Sequence, residues 1–417
     1  MSLKNPDDPS PPANEPSWRA AVAQRYTSVR AHSLALTEGW SAEDQCIQSM
    51  PDASPTKWHL AHTSWFFEAL VLGPHARTYP VFDRHFAYLF NSYYEALGPR
   101  HPRPQRGLLS RPSLAEVQRY RVHVDAAVLA LIAQADHASW LQVAPLLVLG
   151  LHHEQQHQEL MLTDLLHLLS CNPLLPACQA ASPAAPPLAA GAGELTWLSL
   201  PGGITWIGHT SNAFAFDNES PRHQVLLPPF QLASRLVNCA DYAAFIADGG
   251  YRRPDFWLSD GWALVQAEHW QAPAYWLAPG DPRAPCEQWQ VFGLHGVQAL
   301  DPLAPVVHLS FYEAAAYACW AQARLPTEFE WEAAFGTPGL TQMSDQAWQW
   351  TRSSYDPYPG FQPTSGALGE YNGKFMVGQL VLRGASLATP AGHSRPTYRN
   401  FFPPAARWQF SGLRLAK

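Results

Sequence analysis

Two histidines one helical turn apart, in the stretch Leu149–Asp164 (LGLHHEQQHQELMLTD), are the residues best placed to do chemistry. On a helix His153, Gln156, His157 and Leu160 fall at i, i+3, i+4 and i+7 and share one face. Two imidazoles spaced in this way can hold one metal ion from the same side. The flanking Leu146, Leu149 and Leu160 turn that face towards a core, where histidine nitrogens are costly unless something uses them. A core histidine is commonly a hydrogen-bonded packing residue, so a structural polar cluster stands beside the metal site as the alternative. Two imidazoles at i and i+4 with Gln156 between them favour the metal.

The same residues spell HEQQH, the HExxH zinc peptidase signature, in which Glu154 would be the general base. Leu160 and Thr163 stand where a metzincin needs glycine and a third histidine, and the chain then enters a Pro/Ala-rich stretch instead of supplying a carboxylate ligand. A zinc peptidase is therefore a distant alternative. Another is a non-catalytic two-domain binding protein with structural histidines. His62, on an earlier helix whose face it shares with His59 at i, i+3, is the candidate third ligand. Three neutral imidazoles leave the opposite side of a metal open. That suits Fe(II) chemistry in which substrates and O2 bind together, whereas zinc closes its fourth position or keeps one water there.

The elements that must position these residues follow from the rest of the chain. At 417 residues two domains are expected. With 47% hydrophobic and 15% charged residues the chain reads as globular. A net charge of −7 argues against nucleic acid or an anionic membrane as partner, and no apolar run approaches the ~20 residues of a membrane span. Residues 1–17, polar and Pro-rich, read as a disordered tail and not a signal peptide. The six scattered cysteines form no CxxC pair and read as reduced thiols, so a cytoplasmic location is expected.

Residues 18–171 read as a four-helix bundle. A first helix is expected over Trp18–Thr37. A second opens at Ser54-Pro55, with Ser54 as N-cap, carries His59 and His62, and stops at Gly73-Pro74. A long aromatic and basic loop spans Tyr79–Arg111. Ser113 and Glu116 make a capping box for a third helix running to about His137, and the histidine helix follows through Ser170. Residues 172–194 read as a Pro/Ala linker. From 195 to 417 short strands, turns and much of the 17 Trp content indicate an irregular α+β domain with short helices at Cys239–Asp248 and Phe311–Gln322.

Several motifs together resemble the ergothioneine-biosynthesis sulfoxide synthase family: PDASPTKWHLAHTSWFFE, FNSYYEALGPRHPRP, GLHHEQQHQELMLTD, RLPTEFEWEAAF, EYNGKFMVGQLVLRG and YRNFFPPAARWQFSGLRLA. The resemblance runs from about Arg19 to Lys417. It implies an α+β chain in which a DinB-like four-helix bundle precedes a formylglycine-generating-enzyme-like (C-type-lectin-like) domain. It also implies a non-haem Fe(II) held by His62, His153 and His157. The implied reaction joins a small thiol to C2 of the imidazole of hercynine (trimethylhistidine), using O2 and giving a sulfoxide.

In the branch with NSYYE the adjacent tyrosines deliver a proton or hydrogen atom, which places Tyr93 as donor and Tyr94 in support. The family's glutamine on the iron helix matches Gln156, facing the substrate imidazole. Asn400 would hold the amino-acid carboxylate and Phe402 would face the trimethylammonium by cation–π attraction, with ordinary core packing as the other reading of Phe401 and Phe402. Arg100, Arg103 and Arg106 are candidates for the carboxylate of the thiol donor, or else are solvated. Glu154 and Glu159 read as supporting or capping groups.

The chain departs from the family pattern at Ala385, at Leu387, in a short stretch between Phe335 and Trp348, and in WQW at 348–350. These leave the donor open among cysteine, γ-glutamylcysteine and a selenosugar. The last would make the protein a selenoneine synthase forming a C–Se bond, with a roomier pocket provided by the shortened stretch. The implied partners are hercynine, a thiol or selenol donor and O2.

Overall fold

The computed structural model of the chain describes residues 15–179, 193–364, 369 and 372–417. Four long helices build the N-terminal half: α1 (Glu15–Ala35), α2 (Thr56–Phe67), α3 (Leu114–Gln134) and α4 (His137–Ser170). α2 packs against both α3 and α4, and α1 packs against the same two from the other side. The expected capping box opens α3: the Ser113 hydroxyl accepts from the Glu116 N–H, and the Glu116 carboxylate accepts from the Ser113 N–H at 2.8 Å. Asp136 caps α4 by accepting from the Ser139 N–H at 2.8 Å, so the third helix ends before His137.

The second helix starts differently from the expectation. Ser54 does not cap it. Its N–H donates to Asp164 Oδ2 at 2.8 Å and its hydroxyl accepts from Arg106 at 2.9 Å. Two buried charged groups claim the serine, and the helix begins at Thr56 behind Pro55. All twelve residues of α2 are buried, so the helix has no solvent face. The aromatic loop after it lies across it: Trp58 Nε1 donates to the Leu89 carbonyl at 3.1 Å and Lys57 Nζ to that of Leu109 at 2.7 Å. Gly150 lets α2 and α4 touch, since a Cβ there would stand 2.4 Å from the Phe67 ring.

α1 begins at Glu15, so three residues of the expected tail are helical; residues 1–14 lie outside the described residues. Of the expected linker, 180–192 also lie outside them. Its start is tied to both halves: Trp40 Nε1 donates to the Cys178 carbonyl at 3.1 Å, and the Cys178 and Gln179 N–H groups both donate to Leu294 O at 3.0 Å.

The C-terminal half is irregular α+β structure, as expected. Its largest sheet has the order Asn400–Phe402, Leu380–Arg383, Trp348–Ser354, Ser411–Gly412, the last pair parallel and the others antiparallel. Two two-stranded ribbons and a three-stranded sheet complete the strands described. Helices at Cys239–Ala247 and Phe311–Trp320 match the expectation, and two further short ones lie at Ser259–Ala267 and Glu328–Ala334. Among the described residues no helix is long and apolar enough to cross a membrane.

Candidate metal centre and substrate pocket

α2 and α4 bring His62, His153 and His157 together. Candidate ligand nitrogens of all three lie within 4.8 Å of one another. His153 Nε2 is 3.2 Å from His62 Nε2 and 3.1 Å from His157 Nε2. Nitrogens about 2.1 Å from a shared ion and at right angles to each other would stand about 3.0 Å apart, so the spacing fits one mononuclear ion bound on one side. Burial pushes all three imidazoles well below their usual range, His153 to about 3, so each is neutral with a lone pair to offer.

His62 shows where its lone pair points. Its Nδ1 is 2.6 Å from the Phe90 carbonyl, which can only accept, so Nδ1 carries the proton and Nε2 faces the other histidines. The His62 ring is clamped between Trp58 and Trp65, stacked at 4.5 and 5.4 Å. Arg106 lies over the outer face of Trp58 at 3.4 Å. On the other side of the cluster His59 Nδ1 is 2.8 Å from His157 Nδ1, and His59 Nε2 is 3.0 Å from Asp164 Oδ2.

The HExxH reading does not survive this geometry. Glu154 is 1% exposed and turned away from the histidine cluster, between α1 and α3. Its two oxygens accept from Ser33 (2.6 Å), Arg121 (2.9 Å) and Arg30 (2.9 Å). Burial would raise its carboxyl, but the Arg30 and Arg121 guanidiniums hold it down to about 2. A carboxylate that stays ionised at neutral pH and is paired with two arginines is a structural anchor and not a general base.

A pocket opens beside the cluster, between the two halves of the chain. His153, Gln156, His157 and Glu159 of α4 form one wall; Trp348, His393, Tyr398, Asn400 and Phe402 form the facing one; Tyr93 and Arg103 reach it from the aromatic loop. Of the residues singled out from sequence, the structure therefore gathers Tyr93, Arg103, His153, Gln156, His157, Asn400 and Phe402 around one cavity, with His62 behind. Tyr94 is fully buried behind Tyr93, stacked on it at 4.8 Å and against Trp65 at 5.5 Å. Burial raises the Tyr93 phenol, partly offset by a hydrogen bond with Tyr94, so it stays protonated. Arg100 does not line the cavity. It donates to Ser92 O at 2.6 Å and pairs with Glu95 at 3.0 Å on the exposed side of the loop.

Gln156 Nε2 donates to the Tyr398 hydroxyl at 2.7 Å. Asn400 Oδ1 accepts from the Phe401 N–H at 2.9 Å, which leaves its amide N–H2 as the donor group. Glu159 accepts from Trp348 Nε1 (2.8 Å), Ser386 (2.6 Å) and Thr389 (2.7 Å); burial raises its carboxyl above the ordinary value, and these three donors offset part of that. Tyr398, His393 and the pairing of Glu159 with Trp348 escaped the sequence reading, because each joins residues far apart in the chain. Asp164 was also passed over, although its place two turns after His157 on the same helix face could have pointed to it.

The departures from the family pattern lie off the pocket, apart from Trp348. Gln349 of WQW is fully buried and accepts from Trp331 at 2.9 Å and Arg414 at 3.0 Å. Ala385 holds φ +87°, a left-handed conformation that suits the expected glycine better. The short stretch before Trp348 packs on the β-ribbon side, where Thr341 donates to Ser234 O at 2.8 Å and Leu340 joins Leu200 and Leu232. None of residues 336–347 is among those that line the cavity.

Comparison with known proteins agrees with this architecture. The DinB superfamily matches residues 25–161, and the sulfatase-modifying factor enzyme 1-like domain matches 192–338 and 336–417. The chain is 31% identical to the hercynine oxygenase of Mycolicibacterium thermoresistibile, over 95% of each protein. It is 31% identical to that of Mycobacterium tuberculosis, over 95% of this chain and 98% of the relative. A formylglycine-generating enzyme of Thermomonospora curvata is 34% identical over 33% of this chain and 47% of its own length. With full-length similarity to the hercynine oxygenases, and a DinB-like bundle carrying a three-histidine cluster before a sulfatase-modifying-factor-like domain, the chain is an oxidoreductase that belongs to the ergothioneine-biosynthesis sulfoxide synthase family.

Proposed function

We propose that the protein is a non-haem Fe(II)- and O2-dependent enzyme that joins a small thiol to C2 of the hercynine imidazole and releases a sulfoxide. The convergence of three neutral histidine nitrogens at the mouth of an interdomain pocket carries this reading. The reaction balances without an outside reductant. The C2–H and S–H bonds break, C2–S and S–O bonds form, one oxygen atom stays on sulfur and the other leaves as water. O2 takes up four electrons, two from C–S bond formation and two from sulfur.

Bound at His62, His153 and His157, iron would supply O2 reduction and open positions for both sulfur and imidazole. The chain's own groups bind and orient. The amide N–H2 of Asn400 donates to the hercynine carboxylate. Phe402 and Trp348 offer ring faces to the trimethylammonium, and the Glu159 carboxyl on the same cavity lining, raised by burial, would be drawn to its ionised form by that cation. Gln156, steadied by Tyr398, faces the imidazole. Arg103, at the pocket edge, holds the carboxylate of the thiol donor. Tyr93 keeps a proton on its phenol oxygen at the cavity wall, ready for the oxygen that departs as water. The protein holds both organic substrates in one cavity, which turns a three-body encounter into a positioned one.

Metal removal tests this. Chelator-stripped protein with hercynine, cysteine and O2 should consume no oxygen. Fe(II) should restore uptake, and Zn(II) should not. Equal uptake with Zn(II), or none with Fe(II), would sink the reading.

A further inference from the structure

The cluster contains a fourth histidine that the proposed reaction does not use. His59 is 2% exposed and lies between His157 and Asp164, itself 6% exposed. We infer that Asp164 and His59 are positioning residues for the metal: a carboxylate–imidazole pair that fixes which nitrogen of His157 carries its proton. The inference rests on the proposed three-histidine centre.

With His59 neutral, the hydrogen bonds have only one consistent polarity. Asp164 Oδ2 already accepts from the Ser54 N–H at 2.8 Å, and as a carboxylate it can only accept from His59 Nε2 at 3.0 Å. His59 therefore carries its proton on Nε2 and offers a lone pair at Nδ1. That lone pair is 2.8 Å from His157 Nδ1, which must then be the donor. With its proton on Nδ1, His157 has a bare Nε2, the atom 3.1 Å from His153 Nε2. The opposite tautomer of His157 would set two lone pairs against each other on one side and aim an N–H into the ligand cluster on the other. The Phe90 carbonyl does the same for His62 in one step. The relay thus aims a second ligand lone pair, and it spans the start of α2 and the middle of α4, so it also holds the two ligand-bearing helices in register.

The test is a metal titration, followed by fluorescence with Fe(II) under anaerobic conditions and by the visible spectrum with Co(II), with no substrate present. His59→Leu, which removes the acceptor, is expected to weaken both metals about 10–100-fold. His59→Gln, whose amide oxygen can accept from His157 Nδ1, is expected to recover most of that loss and to give a Co(II) spectrum like the wild type's. Asp164→Asn, which loosens the polarity without removing His59, is expected to fall between them, and it carries the test if His59→Leu does not fold. Unchanged metal affinity in His59→Leu, or equal losses in the Leu and Gln variants that track their melting temperatures, would overturn the proposal. A wild-type protein that binds Fe(II) tightly but never couples hercynine to a thiol would instead overturn the proposed reaction and leave the relay standing.

Discussion

Glu154 and His153 are neighbours in the chain and do opposite things, because a helix sends adjacent side chains to different faces. His153 faces α2 and the pocket; Glu154 faces α1 and α3, where two arginines and a serine take up its oxygens. Removing it leaves two buried guanidiniums without their carboxylate. Glu154→Ala is expected to cost about 3–5 kcal/mol, read as a lowered urea midpoint. The pH dependence has a definite sign. The folded carboxyl is held at about 2 against an ordinary 4.5, so its stabilisation is complete above about 4.5 and disappears as pH falls through about 2. A wild-type stability curve no steeper in that window than that of Glu154→Gln would refute the account. Tyr93 makes the complementary prediction. Tyr93→Phe should keep the metal, slow C–S bond formation about 100-fold or more, and divert turnover to thiol oxidation; an unchanged rate and product would remove Tyr93 from the chemistry. The ligand pair was readable from type and spacing, and the tyrosines only from the resemblance of NSYYE to the family motif. The destination of Glu154 was not, since HEQQH is identical whether its glutamate faces a metal or an arginine pair, and only the neighbouring helices decide.

Among the elements, the distance between α2 and α4 governs the cluster, because His62 rides on one helix and His153 and His157 on the other. Gly150 permits the approach: a Cβ would press within 2.4 Å of Phe67 and 3.0 Å of Phe66. Gly150→Ala is expected to destabilise the fold by about 1–3 kcal/mol and to weaken metal binding as the helices part, measured by thermal melting and Fe(II) titration. A variant with wild-type melting and affinity would show that the spacing is set elsewhere. The helices themselves were legible. The capping box at Ser113 and Glu116 forms as expected, and the apolar stripes of α3 and α4 are buried. Ser54 misled for a physical reason: a serine before Pro reads as a cap only while no stronger partner competes, and here Asp164 and Arg106 both do.

At the level of the whole molecule, the pocket exists because an α+β domain closes over one face of a helical bundle. The seam is polar and specific. Glu159 of α4 accepts from Trp348, Ser386 and Thr389, Gln156 donates to Tyr398, and His152 stacks on Phe214 at 4.0 Å. Glu159→Ala is expected to raise KM for hercynine about tenfold or more while leaving Fe(II) affinity unchanged, since the carboxylate touches the second half of the chain and none of the three histidines. Loss of metal affinity instead would mean that the seam and the metal centre are not separable. The two-domain order was legible because its signatures are local strings, each contained in one element. The seam was not: its contacts join residues about 60 to 240 positions apart, and periodicity carries no information at that range. The same limit hides the donor, since the cavity is lined by residues of the loop after α2 and of the C-terminal half together. One measurement tests the central claim most directly. Fe(II)-loaded protein is given hercynine and O2 with cysteine, γ-glutamylcysteine and a selenosugar in competition, and the product is identified by mass. The account predicts one product in which a thiol donor is joined to the hercynine imidazole and carries one added oxygen. A product without a bond from the imidazole to sulfur or selenium would contradict it, and a C–Se product would replace the thiol reading with selenoneine synthesis.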